Sequence, residues 1–163
     1  MNLVIPYIMS VTIINTLVVK SSSFNNNEFI PSKYTCDGLN INPDIIIDEI
    51  PENTKSLAII MEDPDSPNGT FCHWLLWDIL PKSSIKEDSA PGIQGRNNMG
   101  ENKYSGPCPP SGKHHYHFKV YALDTTLSFL PSNTDKKEFE KAIVGHSIAW
   151  GELIGLYRVK EHF

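Results

Sequence analysis

A proline-rich loop leads directly into an alternating strand in residues 106–123, which read GPCPPSGKHHYHFKVYAL. Successive side chains of a strand point to opposite faces, so His114 and Tyr116 share one face with the apolar residues that follow them. His115 and His117 fall on the other, more polar face. The sequence therefore predicts a strand that buries one face and holds His114 and Tyr116 at the mouth end of that face.

Other strands are predicted from short apolar and β-branched runs. The run at residues 56–62, SLAIIME, is continuously apolar at its centre, which is typical of a strand covered on both faces. Twelve Pro and ten Gly favour a β-rich chain with many turns and loops. The predicted strands are 45–47, 56–62, 73–79 and 115–123.

The helical signals come late in the chain. Asp135 and Glu138 have the spacing of a capping box, and an apolar stripe with helical period follows them before Gly145. A second short helix is predicted over residues 147–153 and a final strand over residues 157–159. Because the strands come first and the helices last, we expect a mainly β fold, at the margin of the α+β class.

Length and charge limit the class of protein. The chain has 163 residues, enough for one domain with its own core. Its net charge of −5 argues against a nucleic-acid binder, because such proteins need a basic surface to displace counterions from phosphates. We expect residues 1–16 to be an N-terminal extension or first strand, and residues 17–163 to form a single domain.

The first nineteen residues are apolar but carry no Lys or Arg. A secretory signal has a basic start and a small-residue cleavage site, and Pro6 with several polar residues interrupts the run. The run also falls short of a transmembrane helix, and its β-branched residues favour one or two strands. We expect a cytoplasmic chain without a membrane span, with a signal peptide as the alternative and Met9 as a second candidate start.

The cysteines are candidates for disulfide bonds, and the cysteines and histidines are candidates for metal ligands. Cys36, Cys72 and Cys108 leave one cysteine over from any disulfide set, and their flanking sequences share nothing. We therefore expect three free thiols in a reducing compartment, with Cys108 the one most protected by ligand. There is no Cys-x-x-Cys pair, and the strand histidines offer at most two ligands on one face. The sequence predicts no metal site and no cofactor.

Polar chemistry concentrates where two proline-rich loops each precede a strand with histidine. Residues 63–67, Asp-Pro-Asp-Ser-Pro, come before His73, and residues 106–110 come before His114. Proline restricts the backbone, so such loops can form the walls of a preformed pocket. The aspartates can equally be turn formers, and His73 can be structural. No nucleophile or phosphate-loop motif is present, so spacing alone leaves acid–base chemistry and ligand binding both open.

Four motifs that follow one another along the chain, built around the two proline-rich loops and the histidines described above, together resemble the phosphatidylethanolamine-binding protein family. This family includes the Raf kinase inhibitor proteins. Residues 30–38, IPSKYTCDG, and residues 145–157 resemble its short prokaryotic-type branch. The similarity runs from about Leu17 to Val159 and departs at Ser66, where alanine is usual, and over the first fifteen or so residues. The motifs are Asp63-Pro64-Asp65-Ser66-Pro67, Phe71-x-His73-Trp74, Tyr104-x-Gly106-Pro107-Cys108-Pro109-Pro110 and Gly112-x-His114-His115-Tyr116 with the strand behind it.

This resemblance implies a mainly β fold with a large central antiparallel sheet, a smaller second sheet and a C-terminal helix pair. It also implies a small pocket for phosphate, sulfate or a phosphoethanolamine head group. Relatives in the short branch form homodimers, so the resemblance favours a homodimer here. The residues that it assigns to ligand binding are Asp63, Asp65, Pro67, His73, Gly106, Cys108, Pro109, His114 and Tyr116.

An anion beside two carboxylates is repelled unless the pocket supplies positive charge. None of the implied pocket residues is Lys or Arg, so we expect His73 and His114, held by Asp63 or Asp65, to meet the anion as imidazolium. One carboxylate could also meet the ammonium group of phosphoethanolamine.

These features predict a non-enzymatic binding protein for a phosphate-bearing small molecule or a phospholipid head group. Two alternatives are kept: an acid–base hydrolase that uses the Asp/His pocket, and a regulator of a kinase or protease whose target is unknown. We also expect anion affinity to fall as the pH rises through the histidine range, and His114→Ala to weaken binding more than His115→Ala or His117→Ala.

Overall fold

A computed structural model describes residues 15–82 and 84–160. The expected N-terminal extension, with Met9, lies outside the described residues except for Asn15 and Thr16. No helix in the described part of the chain is long and apolar enough to cross a membrane. The elements are β1 (Asn15–Thr16), β2 (Val18–Lys20), β3 (Glu28–Phe29), a 3-10 turn (Ser32–Tyr34), β4 (Ile45–Asp48), β5 (Ser56–Asp63), β6 (Phe71–Ile79), β7 (Ser84–Ile85), β8 (Ile93–Gln94), β9 (His114–Leu123), α1 (Lys136–Ala142) and β10 (Ser147–Tyr157).

Two sheets build the fold. The larger has the strand order β1-β10-β9-β5-β6-β8, and β3 also pairs with β10. Its central pairs are antiparallel, whereas β1 and β3 run parallel to β10 along one edge. The smaller sheet has the order β2-β4-β7. The predicted mainly β fold, with a large antiparallel sheet and a smaller second sheet, is confirmed.

The large sheet is covered on both faces around β5, where every residue is buried. Ile59 and Met61 pack in the core that the large sheet shares with the smaller one. Ala58 and Ile60 pack on the opposite face, in a second core with Phe139 of α1. Coverage on both sides is the reason why this strand has a continuous apolar run rather than an alternating one.

Strand β9 alternates as its sequence predicted. His114 and Tyr116 are buried, whereas His115 and His117 are partly exposed. Pairing with β5 begins at His117, which lies opposite Glu62, so the first residues of β9 extend past the end of β5. The start of β9 therefore lies beside the turn that joins β5 to β6, and this places the polar end of the buried face next to the first proline-rich loop.

The second helix expected over residues 147–153 is wrong, because these residues belong to β10. Along β10 the buried residues recur every second position from Ala149 to Tyr157, and ten residues pair with β9. A side chain at Gly151 would collide with the backbone carbonyl of Leu17, so this glycine allows the chain before β2 to lie against the strand. The fold thus has one α-helix among the described residues, not a C-terminal helix pair. Of the expected final strand over residues 157–159, only Tyr157 is in a strand, as the last residue of β10.

The predicted helix cap is present. Asp135 Oδ1 accepts a hydrogen bond from Glu138 N at 2.9 Å, which satisfies one of the free amides at the start of α1. A buried ion cluster then holds this helix on the sheet. The carboxylate of Glu62, only 7% exposed, bridges Lys119 of β9 and Lys136 of α1. Burial alone would raise the pKa of Glu62, but hydrogen bonds from the two lysines outweigh it and lower this pKa below its ordinary value.

We expect Glu62→Gln to lower the free energy of unfolding at neutral pH by about 2 kcal/mol, because it leaves Lys119 without its anion and Lys136 with only the exposed Glu140. The lowered pKa means that this stabilisation is present above the ordinary glutamate pKa and is lost as the pH falls through the folded-state value. Urea unfolding at neutral and at acid pH measures both effects. Glu140→Gln is the control. Oε1 of the exposed Glu140 lies 3.5 Å from Nζ of Lys136, and this surface pair should contribute about 0.5 kcal/mol or less to the free energy of unfolding. Equal losses in the two variants would contradict this role for Glu62.

Candidate functional site

The two proline-rich loops meet at one end of the large sheet and enclose a cavity of about 660 Å³. Asp63 ends β5, His73 lies near the start of β6, and His114 opens β9. The antiparallel order of these strands brings the three positions to the same end of the sheet. The sequence-predicted residues that line this cavity are Asp63, Pro67, His73, Gly106, Cys108, Pro109, His114 and Tyr116.

Asp63 has both carboxylate oxygens engaged at the cavity wall. Oδ1 accepts a hydrogen bond from Asp65 N at 2.8 Å, which shapes the turn after β5. Oδ2 lies 2.7 Å from Nδ1 of His114, and both side chains are almost completely buried. Because a carboxylate can only accept, the ring nitrogen that faces it carries the hydrogen. Asp63 therefore orients His114 and fixes which of its nitrogens is left for a ligand.

His73 is oriented by the backbone and not by a carboxylate. Its Nδ1 lies 2.7 Å from the carbonyl oxygen of Ser105, so Nδ1 is again the donor. Burial lowers the pKa of His73, although the carbonyls of Ser105 and Gly106 and the charge of Asp63 act in the other direction. The expectation that an aspartate makes the hydrogen bond to His73 is wrong, because the partner of its Nδ1 is the carbonyl of Ser105.

Both rings therefore leave Nε2 as the atom for a ligand. In His73 the carbonyl of Ser105 engages Nδ1, and in His114 the carboxylate of Asp63 does so. A neutral imidazole with its hydrogen on Nδ1 has only a lone pair at Nε2, which accepts a hydrogen bond. A ligand that can only accept hydrogen bonds is bound through Nε2 once that nitrogen has gained a proton.

Tyr116 provides a third polar atom at the cavity. Its side chain is completely buried, yet its hydroxyl has no hydrogen-bond partner among the described residues. Burial, together with the charge of Asp63, raises the pKa of Tyr116 above its ordinary value, while the nearby backbone of Cys108 lowers it without making a well-formed hydrogen bond. The ring packs edge-on against His73, with centroids 5.3 Å apart. An orphaned buried hydroxyl costs free energy unless a ligand or water completes it, so Tyr116 favours an acceptor in this cavity.

Hydrogen bonds dock the second proline-rich loop onto the segment before β4. Gly106 N donates to Asn40 Oδ1 at 2.7 Å, and Tyr104 Oη donates to the carbonyl of Tyr34 at 2.7 Å. Cys36 N donates to the carbonyl of Pro107 at 3.1 Å. A side chain at Gly106 would collide with the Tyr34 carbonyl, so only glycine allows this close approach.

A disulfide joins the same two segments. Cys36 and Cys108 are bonded across 72 residues, with their Cα atoms 5.5 Å apart, and both line the cavity. The expectation of three free thiols is wrong, because the fold brings two loops together that nothing in their local sequences relates. Cys72 is the free cysteine, and burial raises the pKa of its thiol to about 12. The cysteines thus no longer argue for a reducing compartment, and the cytoplasmic location stays a prediction without them.

Asp65 is the one implied ligand residue that the structure does not bring to the cavity wall. Its Oδ2 accepts hydrogen bonds from His115 N at 2.8 Å and from His115 Nδ1 at 2.6 Å. The hydrogen bond from the His115 side chain is the main reason why the pKa of Asp65 is lowered. Because His115 points away from the buried face of β9, the pair lies outside the cavity. The expectation that Asp65 could hold a cavity histidine is therefore corrected.

Several wall residues were missed by the sequence analysis. The signal for Cys36 was present, since it lies in one loop motif and its partner Cys108 lies in another, but the motifs carry no information on pairing. Asn40 and Ser105 act through a side-chain oxygen and a backbone carbonyl, which no motif predicts. No group of three or more His, Cys, Asp or Glu side chains within residues 15–82 and 84–160 is placed to hold a metal ion. The wall residues outside the predicted set are Cys36, Asn40, Ser66, Asn68, Gly69, Thr70, Phe71, Asn98, Met99, Ser105 and Pro110.

Comparison with known proteins agrees with this fold. The family described as phosphatidylethanolamine-binding protein matches residues 20–158. A UPF0098 protein of Pyrococcus horikoshii is 54% identical over 151 residues, which cover 86% of this chain and 76% of that protein. A UPF0098 protein of Pyrococcus abyssi is 52% identical over 155 residues, covering 88% of this chain and 86% of that one.

Two solved structures have the same fold. The crystal structure of a phosphatidylethanolamine-binding protein homologue from Chlamydia trachomatis superposes with a TM-score of 0.86 at 37% identity, covering 90% of this chain and 99% of that one. Escherichia coli YbcL, described as a new member of the mammalian PEBP family, superposes with a TM-score of 0.81 at 29% identity, covering 88% and 99%. The two-sheet fold is thus that of the phosphatidylethanolamine-binding proteins (PEBP). The chain belongs to the phosphatidylethanolamine-binding protein family and is of its prokaryotic type.

Proposed function

We propose that this chain is a non-enzymatic binding protein that holds a phosphate group, free or in a phosphoethanolamine-type head group, in the cavity between the proline-rich loops. The observation that carries the proposal is the convergence of His73, His114 and Tyr116 on one cavity, where the buried Tyr116 hydroxyl has no described partner and each histidine is already engaged through Nδ1. A tetrahedral anion has enough acceptor oxygens to meet all three. Asp63 supports it by orienting His114.

The alternative of an acid–base hydrolase has one feature in its favour, the buried Asp63–His114 pair. No described hydroxyl or thiol makes a hydrogen bond to either cavity histidine, and the two cysteines at the wall are joined in a disulfide. The covalent form of such catalysis requires a protein nucleophile next to its base, and the described residues do not provide one. Binding therefore has the stronger support.

Calorimetric titration with inorganic phosphate and phosphoethanolamine, alongside a turnover assay on aryl phosphates, tests the proposal. We expect binding of both ligands and no turnover above the uncatalysed rate. Hydrolysis that is lost in Asp63→Asn would favour the alternative. Absence of binding to either ligand would contradict the proposal itself.

We expect His114→Ala to weaken phosphate binding by about 1.5–3 kcal/mol, which is the loss of one charge-assisted hydrogen bond. His115→Ala is the matched control, because His115 is the neighbouring residue but lies on the opposite face of β9 and pairs with Asp65. It should leave affinity unchanged within error. Circular dichroism checks that both variants are folded, and equal losses in the two would contradict the assignment of faces.

Family membership supports two further proposals, a homodimer and a regulatory interaction with a kinase or protease. Sedimentation velocity over a range of concentrations tests the first of these, and a single monomeric species at all concentrations would contradict it.

A further inference from the structure

A second cavity, of about 460 Å³, lies next to the first. It borders the start of β6, the loop around Arg96 and the exposed face of α1 at Lys137. The proposed phosphate site uses neither Arg96 nor Lys137. The cavity differs from the phosphate cavity in character, because it carries arginine and lysine side chains and the phosphate cavity has neither among its described lining residues.

Two of the cations at this second cavity have no ion-pair partner within the described ranges. Arg96 and Lys137 are exposed, and neither forms a salt bridge there. Lys136, in contrast, is held by Glu62 and Glu140. In a chain with a net charge of −5, two unpaired cations at one concave site are the feature that calls for an anion.

The carboxylates at the same cavity are already engaged. Glu140 lies 3.5 Å from Lys136, and Asp135 accepts the hydrogen bond from Glu138 N that begins α1. Neither of these carboxylates forms a salt bridge with Arg96 or Lys137 within the described ranges, so the guanidinium and the ammonium group can each bind a ligand. An arginine side chain suits this task because its planar donors match the oxygens of a phosphate or carboxylate in pairs.

The two cavities share a wall, since Thr70 and Asn98 line both. Two hydrogen bonds fix Asn98 against β6: its Oδ1 accepts from Cys72 N at 2.6 Å, and its N donates to the Cys72 carbonyl at 2.9 Å. The side-chain amide hydrogens of Asn98 and the hydroxyl of Thr70 have no partner among residues 15–82 and 84–160. A ligand that crosses from one cavity to the other therefore meets unused donors on its way.

We propose that the two cavities together bind a small organic molecule with two anionic groups, a phosphate at the His73, His114 and Tyr116 atoms and a second phosphate or carboxylate at Arg96 and Lys137. This inference rests on the proposed phosphate site. Once the first group is bound, the second binds as an intramolecular group at a high effective concentration, so a linker of the right length increases affinity without any change in the protein.

A series of straight-chain alkane bisphosphates of increasing length, each compared with the alkyl monophosphate of the same length, tests the inference by calorimetry. We expect one length to bind at least about tenfold more tightly than its monophosphate. The double variant Arg96→Gln/Lys137→Gln should lose that advantage and keep its affinity for monophosphate. Arg158→Gln/Lys141→Gln is the control, because it removes the same charge from exposed positions outside both cavities.

The outcomes separate the two proposals. Equal affinity for bisphosphates and monophosphates at every length overturns the second site and leaves the phosphate site standing. An equal loss of bisphosphate affinity in the control variant also overturns it, because the effect then comes from net charge. If no monophosphate binds, the proposed phosphate site itself fails.

Discussion

Replacing Cys36 and Cys108 by serine will lower the free energy of unfolding by about 4 kcal/mol, the largest stability effect that we expect from any pair of side chains outside the core. The disulfide closes a loop of 72 residues, and the entropy that a cross-link removes from the unfolded chain grows with loop length. Chemical unfolding of oxidised protein, with and without reductant, measures the same quantity in the native sequence.

The single variants give the internal control. Cys36→Ser and Cys108→Ser should each cost nearly as much as the double variant, because either change breaks the same bond. Reduction should have no further effect on the double variant, since the remaining Cys72 is buried and its thiol pKa is raised to about 12. Unfolding of the native protein that is insensitive to reductant would contradict the cross-link.

Loss of the disulfide should affect phosphate affinity less than stability. Both sulfur atoms belong to the cavity wall, but hydrogen bonds at Gly106, Tyr104 and Cys36 still dock the proline-rich loop. We expect affinity to fall by less than about tenfold, which is the cost of ordering a loop that is otherwise held.

The second large effect is on pH. Sulfate affinity should fall by more than about tenfold between about pH 6 and about pH 8, because sulfate has no hydrogen to donate and Nε2 of a cavity histidine must gain a proton to bind it. A ligand that prefers the protonated ring takes up a proton on binding and loses about tenfold in affinity for each pH unit above the pKa of that ring. Burial lowers the pKa of His73, so affinity through this ring starts to fall at a lower pH than it would for an ordinary histidine.

Hydrogen phosphate is the matched probe for this prediction. It keeps one P–O–H group at neutral pH, and this group can donate to the lone pair of a neutral Nε2. Its affinity should therefore fall less than that of sulfate over the same interval. Tyr116 does not titrate there, because burial raises its pKa further. Sulfate affinity that is constant over the interval would mean that backbone amides hold the anion, and the roles of His73 and His114 would then be abandoned.

Local patterns in the sequence were sufficient for much of the fold. The alternation in β9 predicted which histidine faces the interior, and the continuous apolar run of β5 predicted coverage on both faces. The Asp135 cap was recognised from a spacing of three residues. Each of these is a statement about neighbours along the chain, and the physical cause, the period of a strand or the geometry of a helix start, acts within a few residues.

The error at β10 has a different origin. The segment after Gly145 is apolar and short enough for a helix, and its glycines give no local preference for a strand. What makes it a strand is ten residues of pairing with β9 and the close approach of Leu17 to Gly151. Tertiary pairing overrode a weak local signal.

The sequence by itself determined the strand faces, the helix cap and the motifs that brought Asp63, His73 and His114 into one hypothesis. Only the tertiary structure decided that Cys36 forms a disulfide with Cys108 and that Asp65 accepts hydrogen bonds from His115 outside the cavity. It also decided that Arg96 and Lys137 line the same cavity. These contacts join residues that are about forty to seventy positions apart. Periodicity and spacing report only on near neighbours, so contacts of this range are set by how the strands order themselves in the sheet.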